Sequence, residues 1–323
     1  MPRTRLIATG GTIASRRSPQ GLLSGATGAE LLEASGLGQA GIEVEDVGSR
    51  GSYAFTLADL TGLAGRVRAA LDDGVDGVVL THGTDTMEET AFLLDLVHED
   101  DRPVVLTGAQ RPFDSAAPDG PGNLAAALQV AGSPHARGLG ALLVFDGLAW
   151  LARGVCKTET LASGAFSAPG RGPALRIVSE GVLPLSRQRR PAPFRLETAS
   201  PLARVDVVPL YVGVDDALLR AAVAAGARGV VLQALGAGNA PPSVTESVAR
   251  LVAGGVPVLV TSRVAAGPVS PLYAGGGGAD LARAGAVFAA DLSPWQARLL
   301  LSAALAGATD DPGAAVSEWL GLT

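Results

Sequence analysis

The chain has 323 residues, 47% hydrophobic and 17% charged, with a formal net charge of −6. That length suits two domains or one large α/β domain, and the apolar share supplies a sizeable core, which excludes a disordered chain. An acidic balance without a basic stripe argues against nucleic-acid binding. In chain order, Leu6-Ile7-Ala8 forms a short strand that runs straight into glycines. Thr27 and Glu30 have the spacing of a capping box for a helix through Glu33. Ile42 to Val47 alternates apolar and acidic residues, as a half-buried strand does. Thr56 caps a helix whose stripe is Leu57, Leu60, Leu63, Val67 and Leu71. A buried strand over Gly77–Leu80 precedes a helix over Thr86–Val97. Then come a strand over Pro103–Leu106, a helix over Asn123–Val130 and a strand over Ala141–Phe145.

Strands alternating with helices imply a parallel sheet with right-handed crossovers. In such sheets ligands bind beyond the carboxyl ends of the strands. From Asp146 to about Pro184 the pattern changes to short Gly-rich segments of hairpin type. Residues 186–203, rich in Pro, Arg and Ser, read as a linker, with Arg187, Gln188, Arg189 and Arg190 solvated. Alternation then restarts with strands over Arg204–Val208, Gly229–Leu232 and Val256–Val260, helices over Asp216–Ala225 and Ser243–Ala253, and a last helix from Ser293 to Leu305. Gly275 to Gly278 reads as one flexible turn. The expected division is a first domain over 1–185 and a smaller α/β domain over 204–323.

The single cysteine, Cys156, permits no intrachain disulfide, and three scattered histidines show no metal-ligand spacing. No metal or other cofactor is expected. No apolar run reaches the length of a membrane span, and Thr9, Gly10 and Gly11 come too soon after Met1 for a signal segment. The expected compartment is a reducing cytoplasm.

Two segments concentrate hydroxyls and glycines directly after a strand: Thr9-Gly10-Gly11-Thr12-Ile13-Ala14 and Thr81-His82-Gly83-Thr84-Asp85-Thr86-Met87-Glu88-Glu89-Thr90. Glycines allow close backbone approach and offer N–H groups, threonines supply nucleophilic oxygens, and an acid can pair with an ammonium. Neither segment has P-loop or dinucleotide-fingerprint spacing, and no nucleophile-elbow serine occurs. His82, in a loop ahead of a helix, reads as structural.

Together with Gly108-Ala109-Gln110-Arg111-Pro112, Asp119-Gly120-Pro121-Gly122-Asn123-Leu124 and Val155-Cys156-Lys157-Thr158, these segments resemble the bacterial-type L-asparaginase (asparaginase/glutaminase) family over nearly the whole chain. The resemblance implies a larger N-terminal flavodoxin-like domain, a smaller C-terminal one, and a homo-oligomer, a tetramer built from intimate dimers with shared active sites. It implies Thr12 as nucleophile, Thr84 with Lys157 as an activating relay or a second nucleophilic hydroxyl, and Asp85 as partner of a substrate ammonium. Ser49, with N–H groups near Gly48 and Gly83, would hold the substrate carboxylate, and Asn239 and Tyr273 would come from the neighbouring subunit. L-asparagine and L-aspartate are the implied substrate and product.

Three positions depart from the family pattern. The first loop, 15–28, has no tyrosine, and Leu22 stands about where one is expected. Arg50 follows Ser49 where glutamine is frequent, and a cation there repels an ammonium unless its head turns to solvent or to a carboxylate. Tyr273 stands where several relatives use glutamate, and it can substitute for the absent loop tyrosine. Two further readings compete with an asparaginase: an amino-acid-binding protein that kept the fold with weak or lost turnover, and the asparaginase-like subunit of a tRNA amidotransferase. The acidic charge and a first motif beginning at Thr9 argue against the latter.

Overall fold

The computed structural model describes residues 2–188, 190–194, 201–307 and 311–322. It divides into two compact units, Met1–Arg190 and Pro191–Thr323.

In the first unit, five strands enter one parallel sheet: β1 (Thr4–Ala8), β4 (Ile42–Asp46), β5 (Gly77–Thr81), β6 (Val104–Thr107) and β7 (Ala141–Phe145). Between β1 and β4 lies a hairpin of β2 (Ser15–Ser18) and β3 (Gly21–Ser24). The parallel strands lie in the order β4-β1-β5-β6-β7. Counted by appearance that is 2-1-3-4-5, the flavodoxin-like order, which reverses between β1 and β5. Two antiparallel hairpin segments then follow. One strand, β8 (Leu148–Leu151), extends the sheet from β7; a separate pair, β9 (Cys156–Lys157) and β10 (Phe166–Ser167), comes next; β11 (Leu175–Val178) and β12 (Gly181–Pro184) complete the sheet edge.

Strand side chains alternate between the faces. Leu6, Val79, Val105 and Leu142 pack against Leu31, Leu32 and Leu124 from α1 (Gly28–Ala34) and α4 (Gly120–Ala131). Ile7, Val78, Leu80 and Leu106 pack on the other side against Leu63, Met87 and Leu94 from α2 (Leu57–Asp72) and α3 (Met87–Val97). Covered on both faces, β5 is buried at every residue, which is why it reads as a continuous apolar run. Both expected helix starts are capping boxes, Thr27 with Glu30 and Thr56 with Asp59, each contributing about 1 kcal/mol.

The second unit holds a parallel sheet in chain order, β13 (Val205–Pro209), β14 (Gly229–Ala234), β15 (Val258–Ser262) and β16 (Val287–Phe288). Its helices are α5 (Ala217–Ala224), α6 (Pro242–Ala253), α7 (Gly278–Arg283), α8 (Pro294–Ala306) and α9 (Pro312–Leu320). The chain is therefore mixed α/β, with a large parallel-dominated sheet and a separate smaller one.

Two sequence expectations are corrected. Arg190 is not solvated: its Nε donates to Asp95 Oδ1 at 2.8 Å, and its Nη2 donates to the carbonyls of Asp95 and His98 at the end of α3. Of the expected linker, residues 189 and 195–200 lie outside the described residues. The Gly275–Gly278 turn is pinned: Gly276 N–H donates to Asp280, Gly276 O accepts from Thr245 Oγ1 at 2.6 Å, and Gly278 N–H donates to Asn239 Oδ1 at 3.0 Å. There α7 begins.

Candidate active site

The two threonine loops leave adjacent strands at the switch point, β1 and β5. They touch. A Cβ on Gly11, whose φ is +86°, would lie 2.5 Å from Gly83 Cα and 2.6 Å from Gly83 N. Only glycine at position 11 permits that approach in that conformation. Gly11 N–H donates to Arg50 O at 3.2 Å, so the segment after β4 joins the same cluster. Thr12 opens a single 3₁₀ turn over Thr12–Ala14 and is half-buried. Among the described residues its hydroxyl makes no hydrogen bond, so its oxygen is uncommitted.

Thr84 and Lys157, 73 positions apart, are in contact. Lys157 Nζ lies 2.8 Å from Thr84 Oγ1 and 2.8 Å from Asp85 Oδ1. The lysine side chain is 18% exposed, and Asp85 is 57% exposed. Thr84 Oγ1 also lies 3.5 Å from Gln110 Oε1, a long contact, from the loop after β6. Asp85 does not cap α3; Thr86 stands at the N-cap, and its hydroxyl donates to Ser52 O at 3.1 Å. The expected ammonium partner is thus occupied by the lysine here. An arriving substrate ammonium would compete with Lys157 for that carboxylate, or use its other oxygen.

His82 lies between the loops as a fixed brace. Its Nδ1 is 2.9 Å from Thr9 Oγ1, and its Nε2 is 3.0 Å from Thr90 Oγ1. Burial, with a smaller contribution from Arg50, lowers its pKa to about 4. A neutral ring donates through one nitrogen and accepts at the other, which two hydroxyls satisfy. Nearby, Asp119 accepts the N–H groups of Gln110 and Arg111 at 2.9 and 2.8 Å, and Asn123 Nδ2 donates to Gly108 O at 3.0 Å. The Asp119–Leu124 segment therefore staples the loop that carries Gln110.

Arg50 turns away from its own backbone cluster. Its guanidinium pairs with Asp59 at the start of α2 and lies 4.3 Å from the Phe55 ring centroid. Phe55 in turn meets His82 edge-on at 4.7 Å. With its charge matched by Asp59, Arg50 repels an ammonium less. Ser49 is exposed in the loop beyond β4. The β2–β3 hairpin carries Leu22 and Leu23, 51% and 57% exposed. Its base is tied by Arg17 N–H to Asp114 Oδ2 at 2.8 Å and by Arg16 to Glu30 at 2.7 Å.

Asn239 and Tyr273 belong to the second unit, beyond the carboxyl ends of β14 and β15. Asn239 Oδ1 is used by Gly278 N–H, while its Nδ2 makes no hydrogen bond among the described residues. Tyr273 is exposed. Sequence reasoning missed Gln110 and Glu88 as neighbours of the Thr84–Lys157 pair. Glu88, on the first turn of α3, accepts the backbone N–H of Lys157.

A family model described as "Asparaginase, N-terminal" matches residues 3–190, and one described as "Glutaminase/Asparaginase C-terminal domain" matches residues 204–317. A protein named probable L-asparaginase from Deinococcus radiodurans is 41% identical over 306 residues, covering 93% of this chain and 92% of its own. An L-asparaginase from Bacillus licheniformis is 36% identical over 309 residues, covering 94% and 95%. A crystal structure of a probable cytoplasmic L-asparaginase from Campylobacter jejuni superposes with a TM-score of 0.89 at 32% identity, covering 99% of both chains. On the touching threonine loops and these matches along both units, the chain belongs to the asparaginase family.

Proposed function

We propose that the chain hydrolyses the side-chain amide of L-asparagine to L-aspartate and ammonia through a threonine acyl-enzyme, with L-glutamine as a secondary substrate. Thr12 Oγ1 attacks the amide carbonyl, and its proton passes to the Thr84–Lys157 relay. The tetrahedral intermediate collapses, the C–N bond breaks, and the nitrogen leaves as ammonia carrying the relayed proton. Water then attacks the ester, which frees Thr12 and L-aspartate. Splitting the reaction this way replaces one poor displacement with two easier ones. The N–H groups around Gly11 and Gly83 would stabilise the oxyanion, each well-placed donor contributing about 3–4 kcal/mol.

The observation that carries this reading is the 2.8 Å contact between Lys157 Nζ and Thr84 Oγ1, with Asp85 on the same amine. A binding function alone has no need of an amine on a threonine hydroxyl. Asp85 and Ser49 are the proposed holders of the substrate ammonium and carboxylate, and Asn239 Nδ2 and Tyr273 the proposed contributions of a partner subunit in a homo-oligomer. Among the described residues no helix is long and apolar enough to cross a membrane. The cytoplasm is the proposed compartment, with Cys156 as the single cysteine.

The test is a pair of progress curves for ammonia release, L-asparagine against L-glutamine. Turnover of asparagine exceeding that of glutamine is expected. Thr12→Ala and Thr84→Ala should each lower kcat by at least roughly 10³-fold; retained activity in either overturns its role. A second reading, an amino-acid-binding protein with weak turnover, is favoured by the exposed Leu22 and Leu23, which carry no proton-transferring group on the first loop. Calorimetric binding of asparagine with no ammonia formed selects that reading.

A further inference from the structure

Glu88 stands on the first turn of α3 with its carboxyl group buried at 8% exposure. Its Oε2 accepts the backbone N–H of Lys157. The strand that carries Lys157, β9, has two residues and pairs with β10 alone, apart from the eight-stranded sheet. Core packing of Val155 and Phe166 in the same cluster as Met87 and Ala91 brings the pair against α3, and the bond from Glu88 is the polar tie that sets the Lys157 backbone there. Lys157 reaches Thr84 and Asp85 through a side chain of fixed length that is mostly buried, so the place of its backbone decides whether the amine arrives. We propose that Glu88 is a positioning residue for Lys157, whose buried carboxylate seats β9 on the start of α3 so that the amine meets Thr84 and Asp85.

The β5–α3 loop and the first turn of α3 thereby grip one lysine twice: at the side-chain nitrogen through Thr84 and Asp85, and at the backbone nitrogen through Glu88. A neutral acceptor would suffice for a simple strand tie. A carboxyl group buried here costs desolvation, and the groups facing it explain its behaviour. Burial, and to a smaller extent Glu89 on the same helix, favours the neutral form, whereas the Lys157 N–H and the Lys157 charge favour the anion. Cys156, on β9, is pushed up to about 11 by burial and by Glu88, and so stays a thiol. The balance leaves Glu88 ionising at about 7. An ionised acceptor bonds an N–H more strongly than a neutral one, so Lys157 is held more firmly above neutrality than below it.

The inference rests on the relay reading of Lys157, and the experiment separates the two. Ammonia release from L-asparagine is measured for wild type, Glu88→Ala and Glu88→Gln across neutral pH. Wild-type kcat should rise as the pH passes through about 7. Glu88→Ala, lacking the acceptor, should lose about 10²-fold in kcat with KM nearly unchanged. Glu88→Gln keeps an acceptor of the same shape, so it should recover most of the turnover and lose the rise near neutrality. Wild-type kcat in folded Glu88→Ala, or an unchanged pH profile in Glu88→Gln, overturns the positioning role; if the alanine variant does not fold, the glutamine profile decides. A wild-type chain that releases no ammonia overturns the proposed function, and this inference with it.

Discussion

His82 and Glu88 both lose most of their hydration on folding, and each answers by favouring its neutral form. His82 falls from 6.5 to about 4, and Glu88 rises from 4.5 to about 7. At about 1.4 kcal/mol per pH unit, each displacement is worth about 3 kcal/mol of stability across its window. The windows slope in opposite directions. Between pH 4 and 6.5 the unfolded chain takes up the His82 proton and the folded chain does not, so stability falls as the pH drops. Between pH 4.5 and 7 the folded chain keeps the Glu88 proton and the unfolded chain has lost it, so stability falls as the pH rises. The two nearly cancel where they overlap, and the Glu88 cost is complete above pH 7. Glu88→Gln removes one slope and leaves the other. Its melting temperature relative to wild type should therefore climb as the pH is raised from about 4.5 to 8, by the equivalent of about 3 kcal/mol. Parallel thermal melts that show a constant offset would mean that the carboxyl group titrates as it does in water.

At the scale of elements, Arg190 shows how a connector is fastened. It caps the carbonyl end of α3 and matches Asp95, which is buried beneath Gly140 and also accepts the N–H of Ala141. Removing one partner of a buried pair leaves the other charge uncompensated, at about 3–5 kcal/mol. Arg190→Ala should show that loss in chemical denaturation, and adding Asp95→Asn should restore part of it because the stranded charge is gone; a wild-type midpoint for Arg190→Ala would sink this account. From sequence the residue reads as solvated because its partner lies 95 positions away, beyond any local pattern. What was legible rests on local physics. The β5 run, the Thr27 and Thr56 capping boxes and the two hydroxyl-rich strand ends each carry their cause within a few residues. The helix α9 also carried a local signal, Asp311 capping Ala314 N–H ahead of Pro312, but α7 opens within glycines, and β16 is two residues long. Likewise the contact of Thr84 with Lys157 was reachable only through a family resemblance, whereas the tie from Glu88 to the Lys157 backbone, made across a two-residue strand, has no signature in residue type.

At the scale of the molecule, the proposed chemistry divides between two units. Thr12, Thr84, Asp85 and Lys157 belong to the first, and Asn239 and Tyr273 to the second. Thr12, Thr84 and Asp85, and likewise Asn239 and Tyr273, lie in loops past the carboxyl ends of parallel strands, where α/β sheets present their ligand-binding groups, whereas Lys157 joins its set from the antiparallel strand β9. The proposed contribution of Asn239 and Tyr273 from a partner subunit can be tested by mixing defects between copies of the chain. In an isologous dimer with shared pockets, a chain bearing Thr12→Ala and a chain bearing Asn239→Ala build one doubly defective pocket and one intact pocket. Random pairing makes half of the dimers mixed, so co-expression of the two variants, once each alone is found inactive, should recover about a quarter of wild-type ammonia release. Pockets built within single chains recover nothing, because every pocket then keeps one defect. Activity that stays at the sum of the separate variants would therefore assign Asn239 to its own chain's pocket, and would remove the reason for expecting a partner subunit at the active site.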